Sequence, residues 1–354
     1  MPEPAAEGIL PVHCRNTAVS CLSCLAAAFH LDLPFEHVAG LSGEAFRLPL
    51  FELAAPGSWT RSTGLPQAAL HWCEMLGIDA EICWSEAAAQ SAPAWLDRQR
   101  GMISDTLATG LPVMYWDNLA FGLILAEDAR GYQVSGIPEL HIPAGLESAG
   151  PLRQRSFGPQ GNPEGSFLLP SEDLRPLYEG ELLFIHPRGR ISLDPDYQLS
   201  RALRRAAEEL GGLVCWPRQL DSAGQRLQPL FGTKALERLE QELRGGELSL
   251  PGLIEALQNL LEMRRAGLRW LSDVAAEAED DLQPRLKQAA EFMRRIVAGI
   301  RPLADDFSPP FDPLRHQRRE LLTRTAEQLY EIRRTEETLT RLLRGIAGDF
   351  GVFD

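Results

Sequence analysis

The chain has 354 residues, of which 44% are hydrophobic and 24% charged, and it carries a formal net charge of −14. That length allows one large or two medium domains. The acidic balance argues against sequence-independent nucleic-acid binding, which needs a surface of Lys and Arg. Lys occurs only at Lys234 and Lys287, with Arg supplying the other cations; together with abundant Ala, Leu and Pro this points to GC-rich coding, as in many bacteria. No stretch has the apolar length of a transmembrane span. The first residues, Met1 to Gly8, lack the basic and apolar regions of a signal peptide. A cytoplasmic protein with neither nucleic acid nor membrane as partner is the expectation. Six cysteines in this length are too few for a disulfide scaffold.

From about Ile9 to Pro187 the pattern is mixed. Thr17 to Phe29 is an apolar helix, rich in Ala, Cys and Leu. Phe35 to Leu41 makes a short second helix, broken at Gly40-Leu-Ser-Gly43. Leu65 to Leu76 is helical, and Gly77 follows as its C′ residue. Ile78 to Trp84 alternates as a strand does, and Trp95 to Thr109 returns to a helix. Val113 to Trp116, Phe121 to Ala126 and Tyr132 to Ser135 are consecutive strands. Asp128-Ala-Arg-Gly131 turns between the last two. Leu146 to Pro170, rich in Gly, Pro and charge, is expected to be a surface excursion. Leu182 to His186 closes the strand run.

From Pro195 onward helices follow one another. Tyr197 to Leu210 stops at Gly211-Gly212, and Gly232 to Leu243 stops before Gly245-Gly246. Apolar stripes continue through Leu253 to Leu271, Leu282 to Ile300 and Leu322 to Leu343, with a Pro-rich break at Ser308 to Pro313. No internal repeat is evident. The expected fold class is therefore α+β, a mixed domain at 1–190 followed by an all-α helical bundle at 191–354.

The candidate chemistry begins at Cys14. A thiol at the start of a helix benefits from unpaired N–H groups and the macrodipole, which favour thiolate. His13 is its sequence neighbour. His141, in Glu139-Leu-His-Ile-Pro143, could fold back toward the thiol as a base. Asn16, Tyr115, Trp116, Asp117 and Phe121 are candidates to line a substrate cleft, while Asp117 has the competing reading of a turn residue. Cys21-x-x-Cys24 lies inside a helix with neither Pro nor Gly between the thiols, so a core face is the expected role and redox chemistry is not. No phosphate loop, dinucleotide fingerprint or second Cys/His pair is present, so neither cofactor nor metal is expected. The paired arginines on the later helices sit among Glu and are expected on solvated faces.

His13-Cys14-x-Asn16-Thr-Ala, its apolar helix and Val38-Ala-Gly40-Leu-Ser-Gly43 resemble the N-terminal domain of the butirosin biosynthesis protein H family. Gly110-Leu-Pro-Val-Met-Tyr-Trp, Phe121-Gly-Leu-Ile and Gly131-Tyr-x-Val-Ser-Gly136 look like that family's Gly-x-Pro-Val strand and its paired strands. Later segments, Ala289-Ala-Glu-Phe292 and Thr325-Ala-Glu-x-Leu-Tyr330, are similar to the helical part of longer members. The resemblance implies a papain-like fold related to C39 peptidases, and acyl transfer through a thioester on Cys14. It also implies a small-molecule or acyl-carrier-bound substrate. The departure is that active members begin the second strand with His, where this chain has Ala120 and Phe121. Two uses follow: a cysteine-dependent acyltransferase (or amide hydrolase) with His13 or His141 as base, or a catalytically silent relative that binds a small molecule or peptide in the cleft. In either, the bundle would serve as a lid or a homodimer interface.

Overall fold

The computed structural model describes residues 16–50, 66–85, 93–116, 121–135, 166–169, 174, 182–213, 219–220, 226–227, 230–245, 250–279, 281–307 and 319–350. The chain forms two compact units. One comprises Met1–Val38 and Arg61–Ser192, the other Ala39–Thr60 and Leu193–Asp354. The class is α+β, as expected. Relative to the expected division at 190/191, the described residues 39–50 cluster with the second unit rather than with their sequence neighbours.

The first unit opens with helix α1, Thr17–Ala28, whose N-cap Asn16 accepts from the Val19 N–H at 3.2 Å. Its end is a Schellman pattern: His30 N–H reaches Ala27 O, Leu31 N–H reaches Ala26 O, and His30 takes the left-handed conformation (φ 55°). Helix α2, Phe35–Leu41, crosses the unit boundary. Helix α3, Pro66–Met75, ends through Gly77 at φ 67°, the conformation a C′ residue needs. Helix α4 spans Pro93–Ala108.

Between these helices lies a six-stranded antiparallel sheet. In chain order its strands are β2 (Ile78–Ser85), β3 (Val113–Trp116), β4 (Phe121–Asp128), β5 (Gly131–Ser135), β6 (Ser166–Leu169) and β7 (Leu182–Arg190). The spatial order is β2-β7-β3-β4-β5-β6, so β7 returns to the middle and pairs with β2 and β3. Strand β6 is a correction. It lies within the stretch expected to be a surface excursion, yet Phe167 pairs with Val134. Strand β7 runs beyond its expected end at His186. It carries a bulge opposite Asp79/Ala80, which accommodates Pro187, a residue that cannot donate to a ladder.

Alternation along the strands makes two apolar faces. Val113, Tyr115, Ile124, Val134, Leu182 and Phe184 belong to one core with Ile103 of α4. Met114, Trp116, Phe121, Leu123 and Ile185 occupy the other face, following the cross-strand register. Trp72 of α3 packs on Phe121 of that face.

The second unit is mainly helical: α5 (Pro195–Leu210), α6 (Gly232–Gly245), α7 (Leu250–Glu277), α8 (Gln283–Asp306) and α9 (Arg319–Asp349). Asp194 caps α5 by accepting from the Tyr197 N–H at 2.9 Å, with Pro195 in the first turn. Helix α7 packs along α8, and α9 packs on α5, α6 and α8. Short pairs supplement the helices: β8 (Gln219–Leu220) with β9 (Arg226–Leu227), and β1 (Pro49–Leu50) with β10 (Leu230–Phe231). A 3-10 turn at Glu44–Phe46 also belongs to this unit.

Candidate functional site

The start of α1 and the start of β4 meet. Phe121, the first residue of β4, donates its backbone N–H to Thr17 Oγ1 at 3.0 Å, across 104 residues of sequence. Thr17 is the first residue of α1, and both groups are buried. Two contacts therefore fix the first turn of α1: the Asn16 cap within the helix and the Thr17 hydroxyl on the sheet. The sequence pattern started this helix at Thr17, and it begins there, with Asn16 as its cap.

Around this junction the side chains are aromatic. Trp116 pairs directly with Phe121 across β3 and β4, with their rings tilted 6.4 Å apart. Trp72 approaches Phe121 edge-on at 5.5 Å and 74°. All three are within about 1% of complete burial. Edge-to-face pairs of this kind contribute about 0.5–1.5 kcal/mol beyond their burial. The residue at the start of β4 is thus an apolar ring, fixed from two sides.

Of the expected cleft residues, the structure brings Asn16, Trp116 and Phe121 into this region and separates Tyr115 from them. Tyr115 immediately precedes Trp116 on the strand, so its side chain points to the opposite face, into the core under α4. There its ring covers Gly122: a Cβ at Gly122 would lie 2.7 Å from Tyr115 Cε1. Glycine at 122 is what lets the two strands keep their register beneath that ring. Asn16 uses its carboxamide oxygen as a helix cap, a structural task that the sequence reading had not assigned to it. His13, Cys14, Asp117, Ala120 and His141 lie outside the described residues.

The structure also shows a polar group that the sequence pattern marked only as the end of a strand. On the α4 face of the sheet, His186 of β7 is 2% exposed. Its Nε2 lies 3.2 Å from Gln99 Oε1 and its Nδ1 lies 3.4 Å from Thr106 Oγ1, both on α4. Burial lowers its pKa to about 4, so at neutral pH it is an uncharged ring held between helix and strand. Cys83 is on the same face, with its thiol 3.8 Å from Glu81 Oε1 and 4.0 Å from Met102 Sδ. Burial raises the Cys83 pKa, against smaller lowering effects of Gln99 and Arg98. The period-two alternation from Leu182 to His186 was the available signal: it places His186 on the face of Phe184 and Leu182.

Two thiols of the apolar elements are held protonated. Burial pushes Cys24 and Cys73 up to about 12, so neither supplies thiolate near neutrality. Cys21 and Cys24 line a buried stretch of α1 and form no disulfide. Among the described residues no group of three His, Cys, Asp or Glu side chains is placed to hold a metal ion. No helix among them is long and apolar enough to cross a membrane. No protein-family model matches the sequence, and a comparison with curated proteins found no match.

Proposed function

We propose that the first unit is a papain-like thiol scaffold for acyl transfer, with Cys14 as the acyl-accepting group. The observation that supports this reading is the hydrogen bond from the Phe121 N–H to Thr17 Oγ1. It joins the start of a buried N-terminal helix to the start of a central strand, which is where thiol and base come together in a papain-like site. In the proposed reaction the Cys14 thiolate attacks the carbonyl carbon of a thioester donor. The donor's thiolate leaves and takes up a proton, and the acyl group then passes to an amine, regenerating the Cys14 thiol. The base would be His13 or His141. The donor would be a small-molecule or carrier-bound thioester.

A second reading is favoured by a specific observation: Phe121, walled by Trp72 and Trp116, has no acid–base chemistry at the position that would hold a base. Losing general-base help costs about two to four powers of ten in rate. A silent relative that retains the scaffold and binds a ligand there would have this arrangement.

The two readings separate in one experiment. The protein is incubated with a simple acyl-N-acetylcysteamine thioester across pH, and intact mass and peptide mapping locate any acyl adduct. Acyl transfer predicts a hydroxylamine-labile adduct on Cys14, absent in Cys14→Ala. No adduct in the native chain, together with acylation gained in Phe121→His, supports the silent relative. Adducts spread over several cysteines in proportion to exposure would remove Cys14 from both.

A further inference from the structure

Residues 39–50 leave the first unit's sequence and are held by the helical unit through contacts of the kind that recognise a peptide. The backbone is read twice. Arg264 Nη1 of α7 donates to Ala45 O at 2.8 Å, and Gly232 N–H donates to Leu48 O at 3.2 Å. Pro49 and Leu50 then pair antiparallel with Phe231 and Leu230 in a two-stranded ladder. The side chains are read as well. Phe46 meets Trp270 edge-on at 5.7 Å. The Arg47 guanidinium stands 5.4 Å from the centre of the Phe231 ring and bonds Glu44 at 2.8 Å. Two glycines are demanded by the fit: a Cβ at Gly40 would run into the Trp270 ring, and Gly43, at φ 82°, lies against the Arg205 side chain.

The seat is largely buried, and its composition is that of an interface. Its contact residues, Trp270, Arg264, Arg205 and Phe231, are of the aromatic and Arg types that interfaces favour. Its charges are held in pairs. Arg264 bonds Glu336 Oε1 at 2.7 Å with both fully buried, and Arg205 bonds Glu209 at 2.6 Å. Burial raises the Glu209 pKa, with Arg205 and Arg47 opposing it. Arg264 Nη2 and Glu336 Oε2 have no hydrogen-bond partner among the described residues. Buried pairs of this kind add little stability over apolar packing, and their best-attested use is to specify register.

We propose that the helical unit is a peptide-recognition module whose ligand is the chain's own segment 39–50, held as an exchangeable strap that opens as one piece while α7, α8 and α9 stay folded. The ligand class is a short peptide of the pattern Gly-Leu-Ser-Gly-Glu-Ala-Phe-Arg-Leu. Covalent attachment supplies a high effective concentration, so in the intact chain the strap wins its own seat.

Two measurements on the full-length protein test this. In native-state hydrogen exchange, the amides of Phe46, Arg47 and Gly232 should be at least ~100-fold less protected than mid-helix amides of α7 to α9, reporting a local opening. Exchange of these amides only through global unfolding would overturn the proposal. In the second, a fluorescent peptide of residues 39–50 is titrated into the wild type and into the Phe46→Ala chain. Saturable binding to Phe46→Ala, little to wild type, and at least ~10-fold weaker binding of a peptide carrying Gly40→Leu are expected. A Phe46→Ala chain that keeps its helical circular dichroism yet binds no peptide would sink the idea.

Discussion

The two units bury polar groups in opposite ways. The first builds its interior from the two apolar faces of a sheet, and the ionisable ring that it buries there, His186, is kept neutral. The second buries charges in pairs, Arg264 with Glu336 and Arg47 with Glu44, and sets the half-buried Arg205 against the buried Glu209. A sheet in a ladder satisfies its own backbone, so its faces can be wholly apolar. Beyond the end of α2, the strap has only a short pairing and a single 3-10 turn, so some of its carbonyls need donors from side chains. Arg264 is that donor for Ala45, and its charge in turn requires Glu336. The charges of the second unit thus follow from the irregular segment it holds.

The sharpest way to break this contrast is to remove one partner. Arg264→Met leaves Glu336 as a buried carboxylate and should cost about 3–5 kcal/mol. Arg264→Met with Glu336→Leu removes both charges. It should recover all but the Ala45 carbonyl's loss, about 1–3 kcal/mol. Urea unfolding of the full chain, followed by circular dichroism, measures both. If the double variant is as unstable as the single, the pair's charge is not what matters and the contrast fails.

The neutral His186 gives the matching test for the first unit. Its folded pKa, about 4, lies below the ordinary value of 6.5. Between those values the unfolded chain binds the proton and the folded chain does not. Stability is therefore full above about pH 6.5 and falls as pH drops toward about 4, by on the order of 3 kcal/mol. Urea midpoints of wild type and His186→Gln, compared from pH 7.5 to 4, should converge as pH falls. Parallel curves would mean that His186 titrates alike in both states.

Much of the first unit was legible because its elements carry local signals. The apolar run after Asn16, the Gly77 stop and the bounds of β3 could all be read directly. Strand β6 was missed because Ser166–Leu169 is only four residues long and follows a stretch dominated by Gly and Pro. The strap was missed for a different reason. Gly43 was read correctly as a break, although Gly40 still lies within α2, but a break signal does not say what the chain packs against, and the partners Arg264 and Trp270 are more than two hundred residues away. Tyr115 is the instructive error at the site. Adjacent residues of a strand face opposite ways, so Tyr115 and Trp116 could never have shared one pocket wall. The junction of Thr17 with Phe121 needed the structure, since no pattern in either segment names the other.

The smallest effect sharpens the comparison most finely, because it separates architecture from chemistry at the start of α1. Asn16→Ala removes the cap on Val19 N–H and should lower stability by about 1 kcal/mol, read from the urea midpoint. Asn16→Asp keeps an oxygen for the same N–H, and its negative charge suits a helix N-terminus, so stability should stay within about 0.5 kcal/mol of wild type. The same charge, two residues from Cys14, disfavours a thiolate held there. Iodoacetamide labelling of Cys14 should therefore slow in Asn16→Asp and shift to higher pH, although the fold is unharmed. Equal labelling rates in Asn16→Asp and wild type would mean that the thiol does not draw on the start of α1. The junction of Thr17 and Phe121 would then be architecture shared with the rest of the sheet rather than the frame of a site.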